Sequence, residues 1–114
     1  MTFNNVLIFG DSYSTFEGYI PQGYDVYYTK NGDNDVKSVD KTWWYSLITE
    51  TNSKLVLNDS WSGSTIGYTG YGNSDCSKSS SFIRRLRKLS EEGFFENNTM
   101  KKDRFICAHI IYIM

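Results

Sequence analysis

Ser12 is the residue best placed for covalent chemistry, since it follows Gly10 and Asp11 at the end of the apolar run VLIF. A serine hydroxyl acts as a nucleophile when a tight, exposed turn lifts its oxygen above a sheet, and Gly10 permits such a turn. A short helix that starts at Asp11 or Ser12 would direct backbone N–H groups toward negative charge developing on a substrate. These residues indicate a site that suits a nucleophilic hydroxyl at Ser12.

A second polar loop, residues 58–67, reads NDSWSGSTIG and follows the apolar stretch at residues 55–57. Gly63 has no side chain, so its N–H can approach a substrate oxygen closely and stabilise an oxyanion. Ligands of open parallel sheets bind beyond the carboxyl ends of the strands. We therefore expect the Ser12 hydroxyl and the Gly63 amide to converge over one edge of a sheet.

The elements that must position these loops alternate between strands and helices. Residues 6–9 form a continuous apolar run, which is typical of a strand covered on both faces. Helices are predicted at residues 42–51 and 81–92, and further strands at residues 55–57 and 105–114. This order predicts an α/β fold with a parallel sheet and helices on its faces.

Local patterns add detail to this outline. Residues 13–40 are rich in Tyr, Gly, Asn and Asp, and predict a long loop, a kind of segment that is often functional. Asp40 or Thr42 is expected to cap the first helix, and a serine of residues 79–81 the second, which ends at Gly93. The predicted apolar faces are Trp43, Trp44, Leu47 and Ile48 in the first helix, and Phe82, Ile83, Leu86 and Leu89 in the second.

Two segments carry a family resemblance. Residues 6–14, VLIFGDSYS, resemble the first conserved block of the SGNH, or GDSL-type, hydrolases, and residues 58–65, NDSWSGST, resemble the second. The resemblance implies a flavodoxin-like three-layer α/β/α fold and hydrolysis of esters, including acyl groups on lipids, sugars or small molecules. It also implies that Ser12 is the nucleophile, and that the N–H groups of Ser12 and Gly63 are two of three oxyanion-hole donors.

The C-terminal residues depart from the family pattern. The third block, Gly-x-Asn-Asp, and the last block, Asp-x-x-His, have no match in the sequence. His109 is the only histidine, and the nearest upstream carboxylate, Asp103, is about 20 Å away along an extended strand. We therefore expect a structural role for His109 and little esterase activity from this chain alone.

The sequence thus predicts a single, C-terminally truncated domain over residues 1–114, with about three strands and two main helices. The third strand, residues 105–114, would be an exposed hydrophobic edge, which favours self-association. A truncated gene product and a protein completed by another polypeptide both remain open.

Composition restricts the class of protein. The chain has 114 residues, of which 39% are hydrophobic and 22% charged, as is typical of one globular domain. A formal net charge of -1 predicts neither a nucleic-acid partner nor an anionic membrane surface. Two cysteines outside any Cys-x-x-Cys pair predict no metal site, and no cofactor is expected. The absence of a recognisable signal peptide at the N-terminus predicts a cytoplasmic location.

Aromatic residues are enriched to 17% of the chain. Rings with polar tips suit sugar faces or aryl groups, so a small-molecule or carbohydrate ester is the expected substrate. Packing of the same rings beneath the long loop is an equal alternative. The rings in or near the two site loops are Tyr13, Tyr19, Tyr24, Tyr27, Tyr28, Trp61, Tyr68 and Tyr71.

The second predicted helix carries a run of basic residues followed by two glutamates. The run is expected to be a solvated face whose weak ion pairs contribute little to stability. Its members are Arg84, Arg85, Arg87 and Lys88, and the expected acidic partners are Glu91 and Glu92.

Two other functions are compatible with the pattern. A flavodoxin-like FMN-binding protein cradles a phosphate in the loop after its first strand, and residues 11–15 resemble such a loop. Asp11 argues against this function, because a carboxylate in a phosphate nest repels the ligand. The remaining alternative is a non-catalytic fragment that acts only by association.

Overall fold

The computed structural model describes residues 5–97. Its two strands pair in parallel, with Val6 opposite Leu55 and Ile8 opposite Asn58, as the alternating order predicts. In chain order the strands and helices are β1 (Asn5–Ile8), α1 (Trp43–Glu50), β2 (Lys54–Asn58), α2 (Phe82–Glu91) and α3 (Phe94–Asn97).

The predicted helices at residues 42–51 and 81–92 are confirmed to within one residue at each end. The short helix α3 was not predicted, and its two phenylalanines pack against the core on the same side as α2. The predicted third strand at residues 105–114, together with His109, lies outside the described residues.

Strand β1 is covered on both faces, as its continuous apolar sequence predicts. Val6 and Ile8 pack with the buried Trp44 of α1, while Leu7 and Phe9 pack with Leu89 of α2. Successive side chains of a strand point to opposite faces, so two clusters form, one on each side of the sheet. The result is a layered helix–sheet–helix arrangement around β1.

The inner face of helix α2 differs in part from the predicted one. Ser81 caps it by accepting a hydrogen bond from the Arg84 N–H at 3.1 Å. Three of the four predicted apolar residues pack inward, but Ile83 is 38% exposed, so that part of the prediction is wrong. Arg85 takes the inner position instead, because it lies three residues after Phe82 and four before Leu89.

The start of helix α1 also differs in detail from the prediction. Thr42 occupies the N-cap position, but its side chain makes no capping bond to the helix. Its hydroxyl instead donates to the Val39 carbonyl at 2.7 Å and closes the preceding 3₁₀ turn. Trp44, the second residue of α1, is 2% exposed and packs against Val6 and Ile8 of β1.

The segment between β1 and α1 is a long loop, as predicted, and it folds back on the residues after β1. The Glu17 N–H donates to the Tyr28 carbonyl at 2.9 Å, and the Tyr27 N–H donates to the Thr15 hydroxyl at the same distance.

None of the helices within residues 5–97 has the length and apolar character of a membrane-spanning segment.

Candidate active site

The structure brings Ser12 and Gly63 together at the carboxyl ends of β1 and β2. The Gly63 N–H donates a hydrogen bond to Ser12 Oγ at 3.3 Å. The hydroxyl of Ser62 lies 2.9 Å from the same oxygen, in a second hydrogen bond. The hydroxyl predicted to attack and the amide predicted to stabilise an oxyanion thus already face each other.

Ser12 begins a 3₁₀ turn, Ser12–Ser14, directly after β1. The side chain of Asp11 caps this turn by accepting a hydrogen bond from the Tyr13 N–H at 3.3 Å. Burial raises the pKa of the Asp11 carboxyl, whereas this hydrogen bond and the charge of Arg85 lower it. The Thr15 hydroxyl closes the turn by donating to the Ser12 carbonyl at 2.7 Å.

A buried polar network joins the Ser12 turn to the loop after β2. The Gly10 N–H donates to the Ser60 hydroxyl at 2.9 Å, and that hydroxyl donates to Asn58 Oδ1 at 2.5 Å. The amide nitrogen of Asn58 in turn donates to the Ser14 carbonyl at 2.8 Å. Because buried polar groups are costly when unpaired, this closed network fixes one loop against the other.

A tight turn fixes the position of the Gly63 amide. The Ser64 N–H donates to the Trp61 carbonyl at 3.3 Å, which closes the turn, and Gly63 has a φ of 85°. A positive φ at this turn position is typical of glycine, because other residues are strained there. The glycine is needed for this conformation rather than for space, since a Cβ built on it would meet nothing within 4 Å.

Arg85 was predicted to lie on a solvated helix face, and that prediction is wrong, since it is 1% exposed. Its Nη1 donates to the Gly10 carbonyl at 3.0 Å and to the Asp59 carbonyl at 2.6 Å. Its Nη2 donates to the Ser64 hydroxyl at 3.1 Å. Helical spacing from Phe82 to Leu89 was the sequence signal that could have placed Arg85 inside.

The other charged residues of α2 behave as predicted, with one change of partner. Lys88 pairs with Glu92 at 3.9 Å, one helical turn away. Glu91 pairs with Arg84 at 3.6 Å rather than with Arg87. Both pairs are substantially exposed to solvent, so they contribute little to stability.

Residues of the long loop reach the turn that carries Gly63. The Ser62 N–H donates to the Asp25 carbonyl at 2.9 Å, and the Trp61 indole N–H donates to Asp25 Oδ2 at 3.3 Å. The ring of Tyr24 stacks on Trp61 with 4.1 Å between centroids. The long loop therefore packs against the turn at Trp61 and Ser62.

Asp59 is a buried carboxyl at the end of β2 with a perturbed pKa. Burial raises its pKa to about 6, although the charge of Arg85 and a hydrogen bond with Tyr24 act in the opposite direction. Burial and the nearby Asp59 raise the pKa of Tyr24 to about 12. Asp59 Oδ2 accepts no hydrogen bond from any residue in the range 5–97.

Two further observations concern metal-binding residues and histidine. Within the described part of the chain, no group of three His, Cys, Asp or Glu residues is placed to hold a metal ion. Residues 5–97 also contain no histidine, since the single histidine of the sequence is His109. No histidine therefore lies beside Ser12 within the described residues.

Comparisons with known proteins agree with this arrangement. The model of the GDSL-like lipase/acylhydrolase family matches residues 4–96, which include both site loops. This chain belongs to that family. Among curated proteins, none matches it.

Two solved structures from the same family are similar to this GDSL-like chain. A Bacteroides ovatus protein assigned as a GDSL-like lipase is 44% identical over 77% of the chain, with a TM-score of 0.68. A Bacteroides uniformis protein with the same assignment is 41% identical over 74% of the chain, with a TM-score of 0.64. The chain spans 44% and 41% of these two proteins.

Family membership confirms the predicted fold class and supports a hydrolase. It does not favour the FMN-binding alternative. The residues that carry the family resemblance, around Ser12 and Gly63, are those that the structure brings together.

Proposed function

We propose that this GDSL-like chain carries the nucleophile and two oxyanion donors of an ester hydrolase. The observation that carries the proposal is the contact between the Gly63 N–H and Ser12 Oγ, across two loops at the same edge of the sheet. In open α/β sheets this edge is where ligands bind. A hydroxyl beside a backbone N–H donor has the arrangement that acyl transfer requires.

In the proposed reaction, Ser12 Oγ attacks the ester carbonyl carbon and its proton passes to a base. The carbonyl oxygen becomes an oxyanion, which the N–H groups of Ser12 and Gly63 stabilise. Collapse of this intermediate breaks the bond to the alcohol, which leaves with a proton, and Ser12 stays acylated. Water then attacks the acyl group, releases the carboxylic acid and restores the Ser12 hydroxyl.

The contact between Ser12 and Gly63 represents the resting site. Before attack, the Gly63 N–H has to release Ser12 Oγ and turn to the substrate oxygen. The hydrogen bond between the hydroxyls of Ser12 and Ser62 keeps Ser12 Oγ near this position. Because a base activates the nucleophile, and residues 5–97 provide no histidine, we expect slow acyl transfer that an external base accelerates.

The experiment measures p-nitrophenyl acetate cleavage at neutral pH, with and without added imidazole, and locates the acetyl group by peptide mass spectrometry. We expect acetylation of Ser12 that imidazole accelerates, and turnover without imidazole only slightly above that of Ser12→Ala. Ser79→Ala removes an exposed serine far along the same chain and serves as the matched control.

Acetylation spread equally over Ser12 and Ser79 would contradict the proposal, as would an unmodified Ser12 under both conditions. Rapid, Ser12-dependent turnover without imidazole would support the nucleophile. It would also show that the chain provides its own base.

We further propose that the alcohol part of the ester is a sugar or a similar small polar molecule. Aromatic residues are next to both Ser12 and Ser62 in the chain. Tyr13, which follows Ser12, packs edge-on against Tyr27 of the long loop with 5.6 Å between centroids. Tyr27 is 47% exposed, so its ring is available to a ligand. The large exposed apolar residues among residues 5–97 are mostly tyrosines, whose polar tips suit hydroxyl-rich ligands better than long acyl chains.

Trp61→Ala tests this substrate class, because Trp61 lies next to Ser62 and stacks on Tyr24. We expect roughly tenfold weaker binding of an acetylated oligosaccharide, measured by NMR shift titration. Tyr45→Ala, which removes an exposed ring of α1, should leave the affinity unchanged. Equal losses in the two variants, or no binding of the sugar by the original chain, would count against a carbohydrate substrate.

A further inference from the structure

Arg85 links the two loops that the proposed reaction depends on. Its guanidinium is held between Gly10, two residues before Ser12, and Ser64, the residue after Gly63. We propose that Arg85 is a positioning residue that sets the distance between Ser12 Oγ and the Gly63 N–H. This inference rests on the proposed roles of Ser12 and Gly63, and adds a residue on α2 to the site.

The contacts of Arg85 reach both strand ends and the Gly63 turn. Nη1 binds the carbonyls of Gly10 and Asp59, so it holds the residues that leave β1 and β2. Nη2 binds the Ser64 hydroxyl, which donates in turn to the Trp61 carbonyl at 2.7 Å. Arg85 therefore fixes both ends of the turn that presents the Gly63 amide.

The shape of the guanidinium matters as much as its charge. A planar group with several N–H donors holds partners at fixed angles, whereas a lysine ammonium is a single point on a flexible stem. Removal of the fork would leave the buried Asp59 carbonyl without its donor, and an unpaired carbonyl is costly inside a protein. A lysine at this position keeps the charge but cannot bind all of these partners in the same geometry.

Arg85 is buried, and a buried arginine requires an explanation that an arginine on an exposed helix face does not. A buried charge is costly unless hydrogen bonds satisfy it. Here the partners are backbone carbonyls and a hydroxyl of the two site loops, with a further contact from Nε to the Ser81 carbonyl at 3.4 Å. The positive charge therefore faces the loops rather than solvent.

The test compares the Gly63 amide resonance before and after Ser12→Ala, in the original chain and in an Arg85→Lys background. In the original chain the resonance should shift, because Ser12 Oγ accepts its hydrogen bond. With Arg85→Lys we expect little or no shift, while the amide resonances of β1 stay in place. Acetylation of Ser12 by p-nitrophenyl acetate should slow by roughly 100-fold, as small misplacements of reacting groups do.

Arg87→Lys makes the same exchange at an exposed position of α2 and should change neither measurement. Ser64→Ala gives a second route that leaves Arg85 itself in place, and decides the matter if Arg85→Lys does not fold. It removes the hydroxyl that accepts from Nη2 and donates to the Trp61 carbonyl, and should weaken the response of Gly63 and slow acetylation by roughly tenfold.

A full-sized response of Gly63 to Ser12→Ala in folded Arg85→Lys, or in Ser64→Ala if that decides, would overturn the positioning role. This readout needs no catalysis. If the NMR coupling is lost as expected but Ser12 never accepts an acetyl group, the proposed function fails while the structural role of Arg85 stands.

Discussion

Replacing Gly10 with alanine is expected to lower the free energy of unfolding by about 3 kcal/mol and to slow Ser12 acetylation by roughly 100-fold. A Cβ at this position would lie 2.2 Å from both Cβ and Oγ of Ser14 and 2.8 Å from Ser60 Oγ. Both serines are buried, and Ser14 Oγ accepts from the Trp43 indole N–H while Ser60 Oγ donates to Asn58 Oδ1, so neither can move aside without losing a hydrogen bond. The clash therefore displaces the turn that holds Ser12.

Urea unfolding and the p-nitrophenyl acetate assay measure the two parts of this prediction. Gly67→Ala is the matched control, because a Cβ there would meet nothing within 4 Å. The double variant Gly10→Ala with Ser14→Gly removes the closest contacts and should recover part of the lost stability. A Gly10→Ala chain as stable as the original one would show that the strand end has more freedom than the structure indicates.

Replacing Asp59 with asparagine is expected to stabilise the protein at pH 8 by about 2–3 kcal/mol, since about two units separate its folded pKa from the usual value. The pKa is raised in the folded state, from 3.8 to about 6, so folding favours the protonated carboxyl. Above pH 6 the folded chain bears the full cost of the buried charge, and below about pH 4 it bears none. Asparagine mimics the neutral form and removes that cost.

The advantage of Asp59→Asn should therefore be largest above pH 6 and disappear on acidification toward pH 4, as measured by urea unfolding across this range. Asp75→Asn is the control, because hydrogen bonds with Ser77 lower the pKa of the exposed Asp75 and favour its charged form. That variant should give no stabilisation at pH 8. An Asp59→Asn chain that is less stable than the original at pH 8 would mean that the carboxylate is better compensated than its burial implies.

The sequence alone determined the local elements and the general location of the site. A continuous apolar run defined β1, and helical spacing of apolar residues defined α1 and α2. The glycines and serines after the two strands marked the loops that converge. These features were predictable because they are local. Strand and helix periodicity and the backbone freedom of glycine depend on residues that are close together in the chain.

Only the tertiary structure decided how the two loops are held together. Arg85 looked like a surface residue beside Arg84 and Arg87, yet it is buried on the carbonyls of Gly10 and Asp59. Its partners are backbone carbonyls 75 and 26 residues away along the chain. Every residue has such a carbonyl, so the sequence does not show which of them accept a hydrogen bond from Arg85. A buried cation can be recognised only when the acceptors that offset its desolvation are in place, and folding alone brings them there.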